Sequence, residues 1–172
     1  MQGRLEIWVD GASNVHSKKK PGGWAYAIVD EKGAVVRTSW DGASPTTNSR
    51  MEMNAPLQAL NDILEDIKKG FEWKPKVFQV CTDSALVYRC MVESWYVEWK
   101  YYGRLYGAPD VYLNKDGEII KNQDLWKALI KAVNLLHEKG YEVTWRKVRG
   151  HRGVIHNELV DRMAKKGKMK YS

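Results

Sequence analysis

Four acids in this chain stand where packing alone would not put them. Asp10 ends the run Leu5-Glu6-Ile7-Trp8-Val9, whose apolar, β-prone residues at nearly every position predict a strand buried on both faces. A carboxylate at the rim of a core is costly unless it is paired, hydrogen-bonded or holding a metal. Asp83 ends a second run of this kind, Lys76-Val77-Phe78-Gln79-Val80-Cys81-Thr82. Glu52 falls one position after Met51 and three before Ala55, on or beside the apolar stripe of a predicted helix. Asp161 follows His151 by ten residues, across a loop flanked by Gly150 and Gly153. Each has a plainer reading taken alone: a turn-starting Asp before Gly11, a capping-box or helix-dipole acid at Glu52, an inert surface histidine at 151. The ordered set is what points to chemistry.

The elements that must position these acids can be read in order. After Asp10-Gly11-Ala12-Ser13 comes a cationic loop ending Lys18-Lys19-Lys20-Pro21-Gly22-Gly23, which reads either as solvated or as a phosphate contact. Strands are predicted over 24–29 and 34–40, joined by the turn Asp30-Glu31-Lys32-Gly33, so that the first three strands form an antiparallel meander. Thr46 to Ser49 offer N-caps for a long helix through Ile67. The strand ending at Asp83 should lie parallel to the first, with that helix as the crossover, which brings Asp10 and Asp83 to one rim of the sheet, where open α/β sheets bind ligands. Helical spacing from Ala85 to about Lys100 breaks near Ser94. Residues 95–125 read as a protruding arm tipped by the turn Asn114-Lys115-Asp116-Gly117. A helix over 124–139, a last strand over 141–148, a helix from about His156 to Lys166 and a basic tail over 165–172 complete the chain. The acids Asp30, Asp62 and Asp66 and the histidines His16, His137 and His156 read as surface.

At 172 residues with no break in composition, the chain is expected to be a single domain over 1–172. Its two cysteines, Cys81 and Cys90, form neither a disulfide scaffold nor a metal spacing, which fits a reduced, cytoplasmic setting. No signal peptide, anchor or membrane span is expected. The formal net charge is +7, and residues 142–172 carry nine Lys or Arg against three acids. With eight Trp and nine Tyr as stacking surfaces, this balance favours nucleic acid as the partner.

Asp10-Gly11 on a first strand, Thr47-Asn48-Ser49-Arg50-Met51-Glu52 opening a helix, Thr82-Asp83-Ser84 ending a fourth strand, and Gly150-His151-Arg152-Gly153 with Asn157-Glu158 and Asp161 together resemble the type 1 ribonuclease H family. Pro21-Gly22-Gly23-Trp24 and Asn122-Gln123-Asp124-Leu125-Trp126 extend the resemblance over essentially the whole chain. It implies an α/β, RNase H-like fold: a five-stranded mixed sheet, three antiparallel strands then parallel ones, with helices on both faces. It implies that Asp10, Glu52, Asp83 and Asp161 bind two Mg²⁺ ions, with Mn²⁺ as a substitute. Hard divalent ions do favour carboxylate oxygens, and four crowded acids would repel one another without cations between them. The implied activity is hydrolysis of the RNA strand of an RNA/DNA hybrid, leaving 5′-phosphate and 3′-hydroxyl ends, with His151 aiding proton transfer or product release. Glu158 reads as an aid to the metal site or as a helix cap. The implied substrate contacts are Gly11, Ala12, Asn48 and Ser49 in the minor groove, Thr47 at a DNA phosphate, and Trp95, Trp99 and Asn122 along the DNA strand. The spacing of Trp95 and Trp99 equally suits the core. A monomer is expected.

The chain departs from the family pattern in several places. The loop after the first strand is longer and cationic, Ala85 follows Asp83-Ser84 where Gln is common, and Ser49 replaces Asn or Gln. The 95–125 arm holds four basic residues against five acids, so it is no strongly basic handle, and substrate grip is expected to lean on Lys18 to Lys20 and the C-terminal basic end. Two further readings stay open: a non-catalytic nucleic-acid-binding module, and another nuclease of the same fold, such as an exonuclease or resolvase.

Overall fold

The structure, a computed structural model, describes residues 3–150 and 154–172. Its strands are β1 (Leu5–Ser13), β2 (Gly22–Val29), β3 (Val35–Ala43), β4 (Val77–Thr82) and β5 (Glu142–Lys147). They form one sheet in the order β3-β2-β1-β4-β5. β2 pairs antiparallel with β1 and β3, whereas β4 runs parallel to β1 and β5, the mixed sheet the sequence implies. The helices are α1 (Asn48–Lys68), α2 (Ala85–Glu93), α3 (Trp95–Leu105), α4 (Gln123–Glu138) and α5 (Ile155–Lys170).

Strand alternation sorts the core into two layers. On one face Leu5, Ile7 and Val9 of β1 and Phe78 and Val80 of β4 pack with Met53, Leu60 and Ile63 of α1 and Leu129 and Leu136 of α4. On the other, Trp8, Ala25, Ala27 and Cys81 meet Val160, Met163 and Ala164 of α5. The first layer holds α1 helical through Pro56, a buried residue inside the helix that would by itself argue for an end. Thr47 caps α1 by accepting from the Arg50 amide (3.2 Å), and Ser84 caps α2 by accepting from Val87 (3.2 Å). The expected break near Ser94 is a left-handed residue, φ 53°, between α2 and α3.

Three expectations are revised. The run of lysines expected as a tail from 165 is the last part of α5, which continues to Lys170. It stays helical because Gly167 lies directly against Gly23 and Gly42 and because Lys170 pairs with Asp41 (3.1 Å). The 95–125 segment is anchored along one side: Trp99 packs against Tyr112 and Trp126, and Tyr112, Leu113 and Leu125 are buried. Only its outer side, with Val97, Tyr101 and Leu105, projects. Asp62 and Asp66 serve the interior edge, since Asp62 accepts from the hydroxyl of buried Tyr26 (2.6 Å) and Asp66 accepts from Arg37 and from Trp73 Nε1. His156 is half-buried, with its ring against that of Trp8.

Candidate active site

The register of β1 aims consecutive residues at opposite sides. Asp10 shares the side of Trp8 and faces α5, while Gly11 shares the side of Val9 and faces α1. A methyl group on Gly11 would sit 2.6 Å from the Glu52 amide nitrogen, so only glycine lets the start of α1 come this close to the strand. The approach places Glu52 beside the part of β1 that carries Asp10, just past the last residues paired with β4, although the strand itself continues to Ser13 rather than ending at Asp10. β4, parallel to β1, ends at the same rim and delivers Asp83.

The acids feel one another. Asp10 is buried, accepts from the Gly11 amide (2.9 Å), and is pushed up to about 8 by burial first and then by the charges of Asp83 and Asp161. Glu52 is raised chiefly by burial, with Asp83 adding to it, against hydrogen bonds from Ser84 and from Asn48 Nδ2 (2.7 Å) that favour its ionised form. Asp83 is raised by burial and by Asp161, opposed by the nearby Lys147. Asp161, on α5, holds Lys165 at 2.9 Å. The structure therefore links all four predicted acids, in pairs. Among the described residues, no three acid, histidine or cysteine donors close into a ready-made cation cage. The donor chemistry nevertheless suits a hard divalent cation: among the described residues the donors brought together at the rim are carboxylates, and buried Asp10 has no basic side chain as a hydrogen-bond or ion-pair partner there.

His151 lies outside the described residues. Its neighbour Gly150 is against Asp83, since a methyl group there would lie 3.0 Å from Asp83 Oδ2. Of the expected substrate contacts, Thr47, Ser49, Trp99 and Asn122 line one recess of about 260 Å³ together with Lys121 and Trp126. Asn122 is left-handed (φ 60°), and its Oδ1 accepts from Arg50 Nη1 (3.2 Å), whose guanidinium also makes a two-pronged pair with Asp124 (3.0 and 2.7 Å). Trp95 stands apart from that recess, donating to Glu93 (3.2 Å) beneath the guanidinium of Arg89. Both tryptophans also pack on the core, as their spacing allows. Sequence reasoning missed Lys165, although its four-residue spacing from Asp161 on a helix was visible, and it missed Lys147 and the Arg50–Asp124 clamp, which no local pattern signals.

A family model described as RNase H matches residues 2–169. The chain belongs to the ribonuclease H family. A ribonuclease H of Paramagnetospirillum magneticum is 37% identical over 163 residues, covering 95% of this chain and 88% of that one. Among solved structures, LC9-RNase H1, a type 1 RNase H with the type 2 active-site motif, aligns over all of this chain and 75% of its own, with TM-score 0.74 and 25% identity. LC11-RNase H1, solved in complex with an RNA/DNA hybrid, shares the fold at TM-score 0.59 and 21% identity, covering 94% of this chain and 97% of that one. This ribonuclease H has no helix, among the described residues, long and apolar enough to cross a membrane.

Proposed function

We propose that this ribonuclease H cuts the RNA strand of RNA/DNA hybrids internally, leaving 5′-phosphate and 3′-hydroxyl ends, with Asp10, Glu52, Asp83 and Asp161 holding two Mg²⁺ ions or Mn²⁺ in their place. The observation that carries this reading is the mutual coupling of the four carboxylates at one rim of a ribonuclease H fold. Divalent ions bound there would supply an activated water and neutralise charge on the scissile phosphate. The protein's own residues do the rest. Asp10 and Asp83 offer oxygens from β1 and from the end of β4, and Asn48 and Ser84 fix the orientation of Glu52. Lys165 and Lys147 offset part of the negative charge of Asp161 and Asp83. His151, the residue that follows Gly150 in sequence, is assigned the role of moving a proton or helping product leave.

Selectivity for the hybrid follows from 2′-hydroxyls that mark its RNA strand in a wide, shallow minor groove. Asn48, Ser49 and the backbone at Gly11 and Ala12 are suited to read them. The recess formed by Thr47, Lys121, Asn122 and Trp99 offers a hydroxyl, an ammonium, an amide and an aromatic face to the DNA strand.

The test is a gel assay with labelled, end-blocked RNA/DNA, RNA/RNA and DNA/DNA duplexes, with Mg²⁺ or EDTA, comparing the chain with Asp83→Asn. Internal cuts confined to the RNA of the hybrid, and lost with EDTA and with Asp83→Asn, are expected. Duplexes that are bound but never cut, with Mg²⁺ or with Mn²⁺, would instead make the chain a binding module. Cutting only from free ends would make it an exonuclease.

A further inference from the structure

The loop between β1 and β2 is built as a rigid cationic platform. Its base is the Ser13–Gly22 pair that closes the two strands. Inside it, the Asn14 amide donates to the Pro21 carbonyl (2.9 Å), the Lys20 amide to Ser17 (3.1 Å), and the His16 amide to Asn14 Oδ1 (3.2 Å). It is also sewn to the segment that leads into α1: the Thr46 amide donates to the Lys20 carbonyl (2.9 Å), and the Ser44 hydroxyl donates to the Lys19 carbonyl. Thr46 is buried, and the next residue, Thr47, caps α1 one turn before Glu52. The loop and the acidic rim are therefore carried by the same structural segment.

Lys18, Lys19 and Lys20 are all exposed on this platform, and among the described residues none of them forms an ion pair. Lys165 is engaged by Asp161, Lys170 by Asp41 and Arg50 by Asp124, whereas Lys68, Lys69 and Lys139 are, like the three loop lysines, exposed and in no ion pair among the described residues. Lys20 adopts φ 47°, a left-handed conformation that glycine would take without strain. A lysine held there, with Gly22 and Gly23 two and three residues on, keeps a charge at a conformational cost, a pattern that marks a functional position. The 95–125 segment, with four basic residues against five acids, offers no comparable charge.

Resting on the hybrid-cleaving reading above, we propose that Lys18, Lys19 and Lys20 form a preorganised shelf that grips the phosphate backbone of the duplex and supplies much of the electrostatic affinity that the near-neutral arm lacks. Each lysine that neutralises a phosphate releases counterions, so the shelf must appear as a slope of log affinity against log salt of about −0.9 per contact.

The experiment measures anisotropy of a labelled RNA/DNA hybrid across a salt series in Mg²⁺, in an Asp83→Asn background that prevents cutting. The shelf variant is Lys18→Ala/Lys19→Ala/Lys20→Asn, asparagine being at ease with left-handed backbone. The control is Lys68→Ala/Lys69→Ala/Lys139→Ala. It removes the same charge near the far end of α1, about 30 Å from the first turn at about 1.5 Å per residue and well beyond the Debye length of about 10 Å. The shelf variant should flatten the slope by about two to three and weaken binding in low salt more than about tenfold, while the control leaves the slope unchanged. An unchanged slope in the shelf variant, or equal flattening by the control, overturns the proposal. If the parent chain with Asp83 intact fails to cut the hybrid, the cleavage reading fails, and the slope comparison still decides the shelf on its own.

Discussion

The acidic rim at the C-terminal parts of β1 and β4 and the seam between α5 and the sheet both set aside what packing alone would choose, in opposite ways. At the rim, Asp10 is buried within β1, three residues before the strand ends at Ser13, among carboxylates that raise one another's affinity for protons. At the seam, side chains are given up altogether. A methyl on Gly23 would sit 2.0 Å from the Ala164 carbonyl oxygen, and one on Gly167 would sit 2.1 Å from that of Asp41, so backbone lies on backbone. The rim stores charge at the expense of stability, while the seam brings the helix bearing Asp161 close at the expense of side-chain packing. Substitutions at the rim should therefore cost activity and spare stability, while substitutions at the seam should cost stability and largely spare activity.

The largest expected effect lies at the rim. Asp10→Asn or Asp83→Asn should lower cleavage of a hybrid by more than about a hundredfold, because even outer partners of metal ligands are worth about 10–100-fold. Neither change should lower the melting temperature of the metal-free chain. A variant that melts much earlier would show that these carboxylates are structural rather than functional. Next comes the seam. Gly23→Ala forces a methyl into backbone and should cost about 3 kcal/mol, the upper part of the usual range for overpacking, or about 6–12 °C in melting temperature for a chain of this size. Cleavage per folded molecule should fall far less than for the rim variants, and equal losses would erase the contrast.

A smaller effect sharpens the rim through pH. The folded-state value of Asp10, about 8, lies above the ordinary 3.8, so the folded protein holds this proton more tightly than the unfolded chain. Its contribution to stability is complete below 3.8 and disappears as pH rises to about 8. Burial and Asp83 raise Glu52, and burial and Asp161 raise Asp83, which adds in the same direction. Melting curves of the metal-free chain should therefore fall from about pH 5 to about pH 8, and Asp10→Asn should flatten that fall. The smallest effect is at the clamp. Arg50→Met breaks a partly exposed pair with Asp124 and should cost less than about 1 kcal/mol, measured by denaturant unfolding.

Much of this was legible in the sequence because local pattern and local structure coincide. Continuous apolar runs marked β1 and β4 and so predicted that Asp10 and Asp83 share one rim, alternation marked β3 and β5, and helical spacing marked the helices, except that α3 continues to Leu105 beyond the spacing lost after about Lys100. Ser94 and the Asn114–Gly117 turn broke periodicity where the backbone turns, with Gly117 at φ 79°. What escaped depends on partners distant in sequence. The lysine-rich end of α5 reads as a tail until Gly23 and Gly42 meet Gly167. Asp62 and Asp66 read as solvated until Tyr26, Arg37 and Trp73 donate to them. The anchoring of the 95–125 segment rests on Trp99 reaching Tyr112 and Trp126, and the orientation of Asn122 rests on Arg50, 72 residues away.

On the proposed function, the rim is unstable by itself because it is kept for cations. The most direct test is the melting temperature of the metal-free chain and of Asp10→Asn near pH 8, with and without Mn²⁺. Asp10→Asn should melt above the parent without metal, and Mn²⁺ should raise the parent well above its metal-free value while moving the variant little. A parent that melts above Asp10→Asn without metal, or an equal response of both chains to Mn²⁺, would contradict this reading.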